Sequence, residues 1–270
     1  MKTFKDFLSD SIDGPSVDGI VEMLKRDCSP FLKVAKVHNY PLLRGMDETS
    51  IVSTIPQPKY RKPKDSTAAF NKMFNFIVEG AIGVKDIRAQ TLFCTTNFQQ
   101  ANIYGNVHYI FPKGDYKFIW SPEIYDSYSS DTLFLRAFSD SLVKELGIFQ
   151  SISFKMARRL WTRIAENENY LTDNEKLAEL FEICEIQFKE GADLVHAMAS
   201  TAKPAFENLQ YQTSGLRLAF KSMNEILFYE SGGYYAIYPE KLAAELHMQD
   251  LNFTKLEDID KLYDEFLSRL

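Results

Sequence analysis

The chain has 270 residues, of which 45% are hydrophobic and 25% charged, and its formal net charge is −6. This length and composition predict a packed globular protein that forms its core without disulfides. The acidic balance and the lack of a long Lys/Arg block disfavour nonspecific nucleic-acid binding through a basic face. The wide spacing of Cys28, Cys94 and Cys184 indicates neither a zinc site nor a disulfide framework.

The sequence also predicts a soluble, cytoplasmic location. Residues 1–8 include no apolar run of signal-peptide length, and no stretch approaches the roughly eighteen apolar residues of a membrane span. The unpaired cysteine pattern fits a reducing compartment. We therefore expect no membrane partner.

An N-terminal helical segment is predicted over about 1–38. Residues 3–8 are predicted to form one short helical turn. Ser16 is a potential N-cap for a helix whose apolar residues, Ile20 and Leu24 among them, follow the helical period. Ser29 and Pro30 end that helix and begin another.

Strands dominate the prediction from residue 40 to 120. They are expected near 42–43, at 90–95, at 107–111 and at 116–120, with helices at 67–78 and 99–104 and a proline-rich loop around 56–63. Residues 112–115 have the composition of a hairpin turn between the last two strands.

The second half begins with helices and then returns to strands. Residues 132–205 have helical periodicity, and residues 172–175 match a capping box. Strands at 225–229 and 234–238 flank Ser231-Gly232-Gly233, which predicts a second hairpin. A second capping-box match at 254–257 predicts a terminal helix over about 255–270.

Common catalytic motifs are absent from the sequence. It has no phosphate-binding Gly-Lys-Ser/Thr loop, no Gly-x-Gly-x-x-Gly, no His-Glu-x-x-His and no Gly-x-Ser-x-Gly. The histidines are isolated and are expected to be structural or exposed; they are His38, His108, His196 and His247. Asp258 and Asp260 fall on a predicted helix, where residues two apart do not face each other, so no metal site is expected.

A set of short fragments occurs in a particular order. Leu43-Arg44-Gly45 follows an apolar strand, and Leu92-Phe93-Cys94-Thr95-Thr96-Asn97 comes later, followed by Ala101-x-x-Tyr104-Gly105. Asn224-Glu225-Ile226-Leu227 comes last. This order resembles the Arg, Ser-Thr-Ser and Glu motifs of the ADP-ribosyltransferase superfamily. The resemblance covers roughly residues 40–120 and 215–240.

The resemblance implies a role for each matching residue. Arg44 and Gly45 would contact NAD⁺, and Phe93, Thr95, Thr96 and Tyr104 would line or brace its pocket. Glu225 would be the catalytic glutamate, acting as an ionised carboxylate. A carboxylate near the ribose stabilises the positive charge that develops as the nicotinamide–ribose bond breaks.

Three departures from the superfamily pattern are visible. Thr95-Thr96-Asn97 replaces Ser-Thr-Ser but keeps two hydroxyls. Met223 stands two residues before Glu225, where the superfamily usually has Glu or Gln, which leaves the acceptor residue type open. The interval from Thr95 to Glu225, 225 − 95 = 130 residues, is long for the superfamily, so the helical run would be an insertion.

The fold implied by the resemblance is α+β. It has a split mixed or antiparallel sheet core in a single domain spanning 1–270, with N-terminal helices at about 1–38, an insertion at about 132–205 and a C-terminal helix at about 255–270. Residues 1–8 resemble the start of many tailed-bacteriophage proteins, which implies the host cytoplasm.

The implied activity is mono-ADP-ribosyl transfer from NAD⁺, as substrate, to a macromolecular acceptor, expected to be a protein, with no metal. NAD⁺ hydrolysis is the related possibility. The alternative is a non-catalytic structural or interaction protein, for example virion-associated, that keeps the fold. Glu123, Asp126 and Glu230 are the competing carboxylates, and Arg61 and Arg88 are candidate phosphate contacts.

Overall fold

The computed structural model describes residues 15–59, 66–127, 129–248 and 250–270. In chain order the elements are α1 (Val17–Asp27), α2 (Ser29–His38), β1 (Leu43–Met46), β2 (Val52–Ile55), α3 (Ala68–Ile82), α4 (Ile87–Gln90), β3 (Leu92–Cys94), α5 (Phe98–Asn102), β4 (Asn106–Pro112), β5 (Lys117–Trp120), α6 (Asp131–Leu146), α7 (Phe154–Glu166), a 3₁₀ turn (Glu168–Thr172), α8 (Asn174–Ile183), α9 (Leu194–Asn208), α10 (Leu216–Ser222), β6 (Ile226–Tyr229), β7 (Tyr234–Ile237), α11 (Pro239–Glu245) and α12 (Leu256–Arg269). The predicted turn at 3–8 lies outside the described residues.

The described residues separate into two compact units. The sheet unit comprises those up to Pro58 together with Thr91–Trp120 and Gln212–Leu270. The helical unit comprises those within Lys59–Gln90 and Ser121–Tyr211. The sequence predicts 132–205 as an insertion into one domain, whereas the helical unit of the structure also includes α3 and α4.

The sheet unit holds two antiparallel sheets. One has the strand order β1-β4-β7-β2 and the other β3-β6-β5, and every strand pair among the described residues is antiparallel. The predicted mixed α and β structure with antiparallel pairing is thus confirmed. Strand β2 was not predicted, because the prolines that follow it suggested a loop.

Both predicted hairpins are wrong, although their strands are present. The turn at 112–115 leads from β4 in the four-stranded sheet to β5 in the three-stranded sheet, and the turn at 230–233 leads back from β6 to β7. The two turns bond to each other: Lys113 N–H donates to Gly233 O, and Gly232 N–H donates to Lys113 O, each at 2.9 Å. Turn composition indicates a chain reversal but not the partner that each strand finds.

Helices cover the four-stranded sheet through aromatic contacts. The Tyr263 ring of α12 lies 5.0 Å from the Tyr109 ring of β4, and the Tyr109 hydroxyl donates to Ile259 O at 2.6 Å. Phe31 of α2 meets Phe111 edge-on at 5.9 Å. Such aromatic pairs add about 0.5–1.5 kcal/mol beyond area burial, so these helices hold β4 firmly in place.

Helix caps follow the predictions at some ends and not at others. Ser16 caps α1 by accepting from Gly19 N–H at 3.3 Å, as predicted. Asp173, not Thr172, caps α8. Helix α12 begins at Leu256 without a side-chain cap, because Lys255, which has no acceptor in its side chain, occupies the N-cap position, and the Thr254 hydroxyl donates to Asn252 Oδ1 at 2.7 Å. The terminal helix itself is confirmed.

The helical unit packs around phenylalanine rings. Phe134 of α6 lies 5.2 Å from Phe70 and 5.4 Å from Phe74 of α3. Thr67 caps α3, and the predicted apolar face of that helix is buried. Across the described residues, no helix combines the length and the apolar character needed to span a bilayer.

Candidate functional site

Strands β1 and β3, from different sheets, meet at one bridge in the sheet unit. Leu43 N–H donates to Thr95 O at 2.7 Å, and Thr95 N–H donates to Leu43 O at 3.0 Å. The next residue, Arg44, is half-buried, and its Nη1 donates to the Phe93 carbonyl. The Arg44 and Thr95 motifs are therefore adjacent, although 51 residues separate them in sequence (95 − 44).

The two threonine hydroxyls hold the segment that leads to Glu225. Thr95 Oγ1 donates to Met223 O at 3.2 Å, and Thr96 Oγ1 donates to Phe220 O at 2.7 Å. Both threonines are about 95% buried, with 5% relative exposure. Their hydroxyls thus fix the end of α10 and the residues before β6, which is a bracing role.

Glu225 lies directly before β6, on the other side of Thr95 from Leu43. The β3–β6 register pairs Phe93 with Leu227 and Cys94 with Ile226, and its continuation places Glu225 opposite Thr95. Glu225 is half-buried. The structure thus brings the Arg, Thr and Glu motifs to one region.

Gly45 has a packing role in β1. A Cβ atom there would overlap Ala101 O and would lie 2.7 Å from the Tyr104 carbonyl carbon. The space beside Gly45 is therefore filled by the chain that follows α5. Tyr104 is 47% exposed, and Phe93 is half-buried.

The alternative catalytic carboxylates and the candidate phosphate-binding arginines have other partners, belong to the helical unit or lie outside the described residues. Glu230 pairs with Lys117 at 2.6 Å, and Glu123 and Asp126 belong to the helical unit. In that unit the Arg88 guanidinium stacks on Phe70 and Phe74, with 5.0 and 4.9 Å to the ring centroids, and donates to Ser127 Oγ at 3.0 Å. Arg61 lies outside the described residues.

His108 lies beside Arg44 in the fold, a position that the sequence did not reveal. His108 lies opposite Arg44 in the β1–β4 register, is fully buried and stacks on Tyr238 at 5.2 Å. Its Nδ1 is 2.7 Å from Asn106 O. Burial lowers the pKa of His108 below its usual value, against smaller opposing effects of Asn106 O and Glu48. Only knowledge of the β1–β4 pairing would have revealed this position.

Met223 has an unusual backbone conformation. It ends α10 with φ +59°, in the left-handed region, and its side chain is 42% exposed. Such a conformation costs a non-glycine residue roughly 1–2 kcal/mol. The Thr95 hydroxyl bonded to its carbonyl helps to hold it there.

Two cavities are formed by other residues. One, of about 420 Å³, lies in the sheet unit between the end of α5, the start of α11 and residues 251–254. The other, of about 570 Å³, lies in the helical unit between α3, α6 and α7. Neither is lined by Arg44 or Glu225. Among the residues that the structure describes, no group of three His, Cys, Asp or Glu side chains is arranged to hold a metal ion.

Comparisons with known proteins find no matching family model, no matching curated protein and no matching solved structure. By its fold, the chain is a mixed α and β protein with two antiparallel sheets and a helical unit among its described residues.

Proposed function

We propose that the chain is an NAD⁺-dependent mono-ADP-ribosyltransferase with a macromolecular acceptor, expected to be a protein. The observation that supports this most is that β1, which carries Arg44, and β6, which Glu225 directly precedes, both pair with the segment from Leu92 to Thr95. Arg44 and Glu225 are 181 residues apart in sequence (225 − 44), and their strands meet within one unit. The division of the strands into two antiparallel sheets agrees with the split-sheet fold that the resemblance implies.

The proposed chemistry uses a permanent cation and a carboxylate. Arg44 would bind the phosphate or ribose oxygens of NAD⁺ through its planar guanidinium. As the nicotinamide–ribose bond breaks, its electron pair leaves with neutral nicotinamide, and positive charge develops on the ribose. Glu225 would stabilise that charge. An acceptor nucleophile then bonds to the ribose carbon and releases a proton.

The remaining assigned residues would act around this pair. Thr95 and Thr96 would position Glu225 through their bonds to the backbone at Met223 and Phe220. Phe93 and Tyr104 offer ring faces for the nicotinamide. Gly45 would contribute through the close approach of β1 to the chain after α5.

The test is Glu225→Gln, with Glu230→Gln, directly after the other end of β6, as the matched control. We expect Glu225→Gln to fold and bind NAD⁺ nearly as well as the unmodified chain but to lose turnover by about a hundredfold or more, the scale of one lost electrostatic contact in the transition state. Nicotinamide release and labelling of a lysate by labelled NAD⁺ are measured together with calorimetric NAD⁺ affinity.

Three outcomes are distinguishable in that experiment. Arg44→Ala should weaken NAD⁺ binding as well as turnover. Nicotinamide release without labelled acceptor would identify NAD⁺ hydrolysis. Equal activity in Glu225→Gln and the unmodified chain would contradict the role of Glu225 and turn attention to Glu123 or Asp126.

A non-catalytic structural or interaction protein, for example a virion-associated one, is the second candidate. Internal bonding at the site favours it: Arg44 donates to a backbone carbonyl, and both threonine hydroxyls do the same. Met223 at the position of the superfamily Glu or Gln favours it too. Absence of calorimetric NAD⁺ binding at millimolar concentration would support this candidate over the enzyme.

A further inference from the structure

Three side-chain amides converge on the 420 Å³ cavity of the sheet unit. Asn102 ends α5, Asn106 begins β4, and Asn252 precedes α12. Within the part of the chain that the structure describes, the carboxamides of Asn102 and Asn106 make no hydrogen bond; only their backbone carbonyls accept. Asn252 uses its Oδ1 for Thr254, so its NH₂ group remains available.

The remaining wall of the cavity is apolar with one acid. Leu251 and Phe253 line the cavity, are half-buried and pack against the core of the sheet unit. Glu240, in the first turn of α11, is exposed. A carboxylate there accepts hydrogen bonds and repels anions.

This chemistry selects one class of ligand. A carboxamide presents a donor and an acceptor side by side, which matches the N6–N7 edge of adenine in a bidentate pair. The Phe253 ring suits a flat heterocycle, and Glu240 accepts from an exocyclic amine but disfavours a phosphate. The volume is within the range of about 300–1,000 Å³ that is usual for ligand pockets.

We propose that this cavity binds the base of an adenine nucleoside. The inference goes beyond the proposed activity, since it requires neither Arg44 nor Glu225 and would hold for a protein that never cleaves NAD⁺.

The test is calorimetric titration of the full chain with adenosine, uridine and ribose. Adenosine should bind at least about tenfold more tightly than uridine, and ribose should give no signal. Asn102→Ala and Asn106→Ala should each weaken adenosine binding about fivefold to tenfold, the effect of one hydrogen bond. Asn169→Ala, an exposed asparagine in the helical unit, is the matched control and should leave the affinity unchanged.

Charge provides an independent check. Glu240→Gln should improve the binding of adenosine monophosphate relative to that of adenosine, because a repulsive carboxylate is removed. The Arg44→Ala variant should bind adenosine as tightly as the unmodified chain does. This result would distinguish the adenine site from the proposed transferase site, which uses Arg44. No binding of adenosine at millimolar concentration, equal binding of uridine, or full affinity in both asparagine variants would overturn it.

Discussion

At the scale of the residue, Gly45 shows how one missing side chain sets the position of a strand. Because a Cβ would overlap Ala101 O, we predict that Gly45→Ala lowers the free energy of unfolding by about 3 kcal/mol or more, at the upper end of overpacking costs. The matched control is Gly232→Ala, whose Cβ would lie 3.2 Å from Lys113 O without a positive φ. Chemical denaturation measures both, and equal losses would contradict the assignment.

His108 is a second residue with a measurable consequence. Burial lowers its pKa in the folded chain, while the unfolded chain titrates near 6.5. As the pH falls below about 6.5, the unfolded state gains a proton that the folded state does not, so stability is lost until the folded pKa is passed.

We therefore expect His108→Gln to lose less stability than the unmodified chain between pH 7.5 and pH 5. Denaturation midpoints across this range measure the difference. His196→Gln, at an exposed position, is the control and should follow the unmodified chain. Parallel curves for His108→Gln and the unmodified chain would show that His108 is not the group that titrates.

At the scale of the element, strand β3 joins the two sheets and also holds the end of α10. Thr96→Val keeps the shape of the side chain but leaves Phe220 O without its hydroxyl donor. We predict a loss of about 1–3 kcal/mol, the cost of a buried unsatisfied carbonyl. Thr54→Val, at the exposed position of edge strand β2, is the control and should be neutral or slightly stabilising.

A second outcome follows for turnover, if the proposed activity holds. Thr96→Val loosens the segment before Glu225, so turnover should fall while NAD⁺ affinity changes little. Unchanged stability in Thr96→Val would show that the Phe220 carbonyl finds another donor, and the bracing role would then be wrong.

At the scale of the whole molecule, the chain passes repeatedly between the two units. A deletion of 132–205, the insertion expected from the sequence, would leave α3 without the helices that cover Phe70 and Phe74. Exposing each of these side chains costs about 1.5–3 kcal/mol. We predict that the deletion variant lacks a cooperative unfolding transition and aggregates.

Circular dichroism and gel filtration test this prediction. The control for expression and purification is Phe149→Ala in the full chain. Because Phe149 is fully exposed, this variant should behave as the unmodified chain does. A monomeric deletion variant that unfolds cooperatively would show that α3 does not need the later helices and would support the single-domain prediction with an insertion.

The sequence by itself determined the local elements. Apolar periodicity and caps such as Ser16 and Thr67 depend on residues a few positions apart, so α1, α3 and most strands were predictable. Ile226 and Phe228, two residues apart on β6, both belong to the core cluster of the sheet unit, as the period of a strand requires.

The tertiary structure alone decided which strands pair. Gly232 and Gly233 permit a tight turn whether the chain returns to the same sheet or crosses to another, and β6 and β7 are buried along their whole length, so no polar alternation marks a partner. The same reason explains His108, the close packing at Gly45 and the meeting of Arg44, Thr95 and Glu225. Each depends on contacts between residues far apart in sequence, which local spacing does not encode.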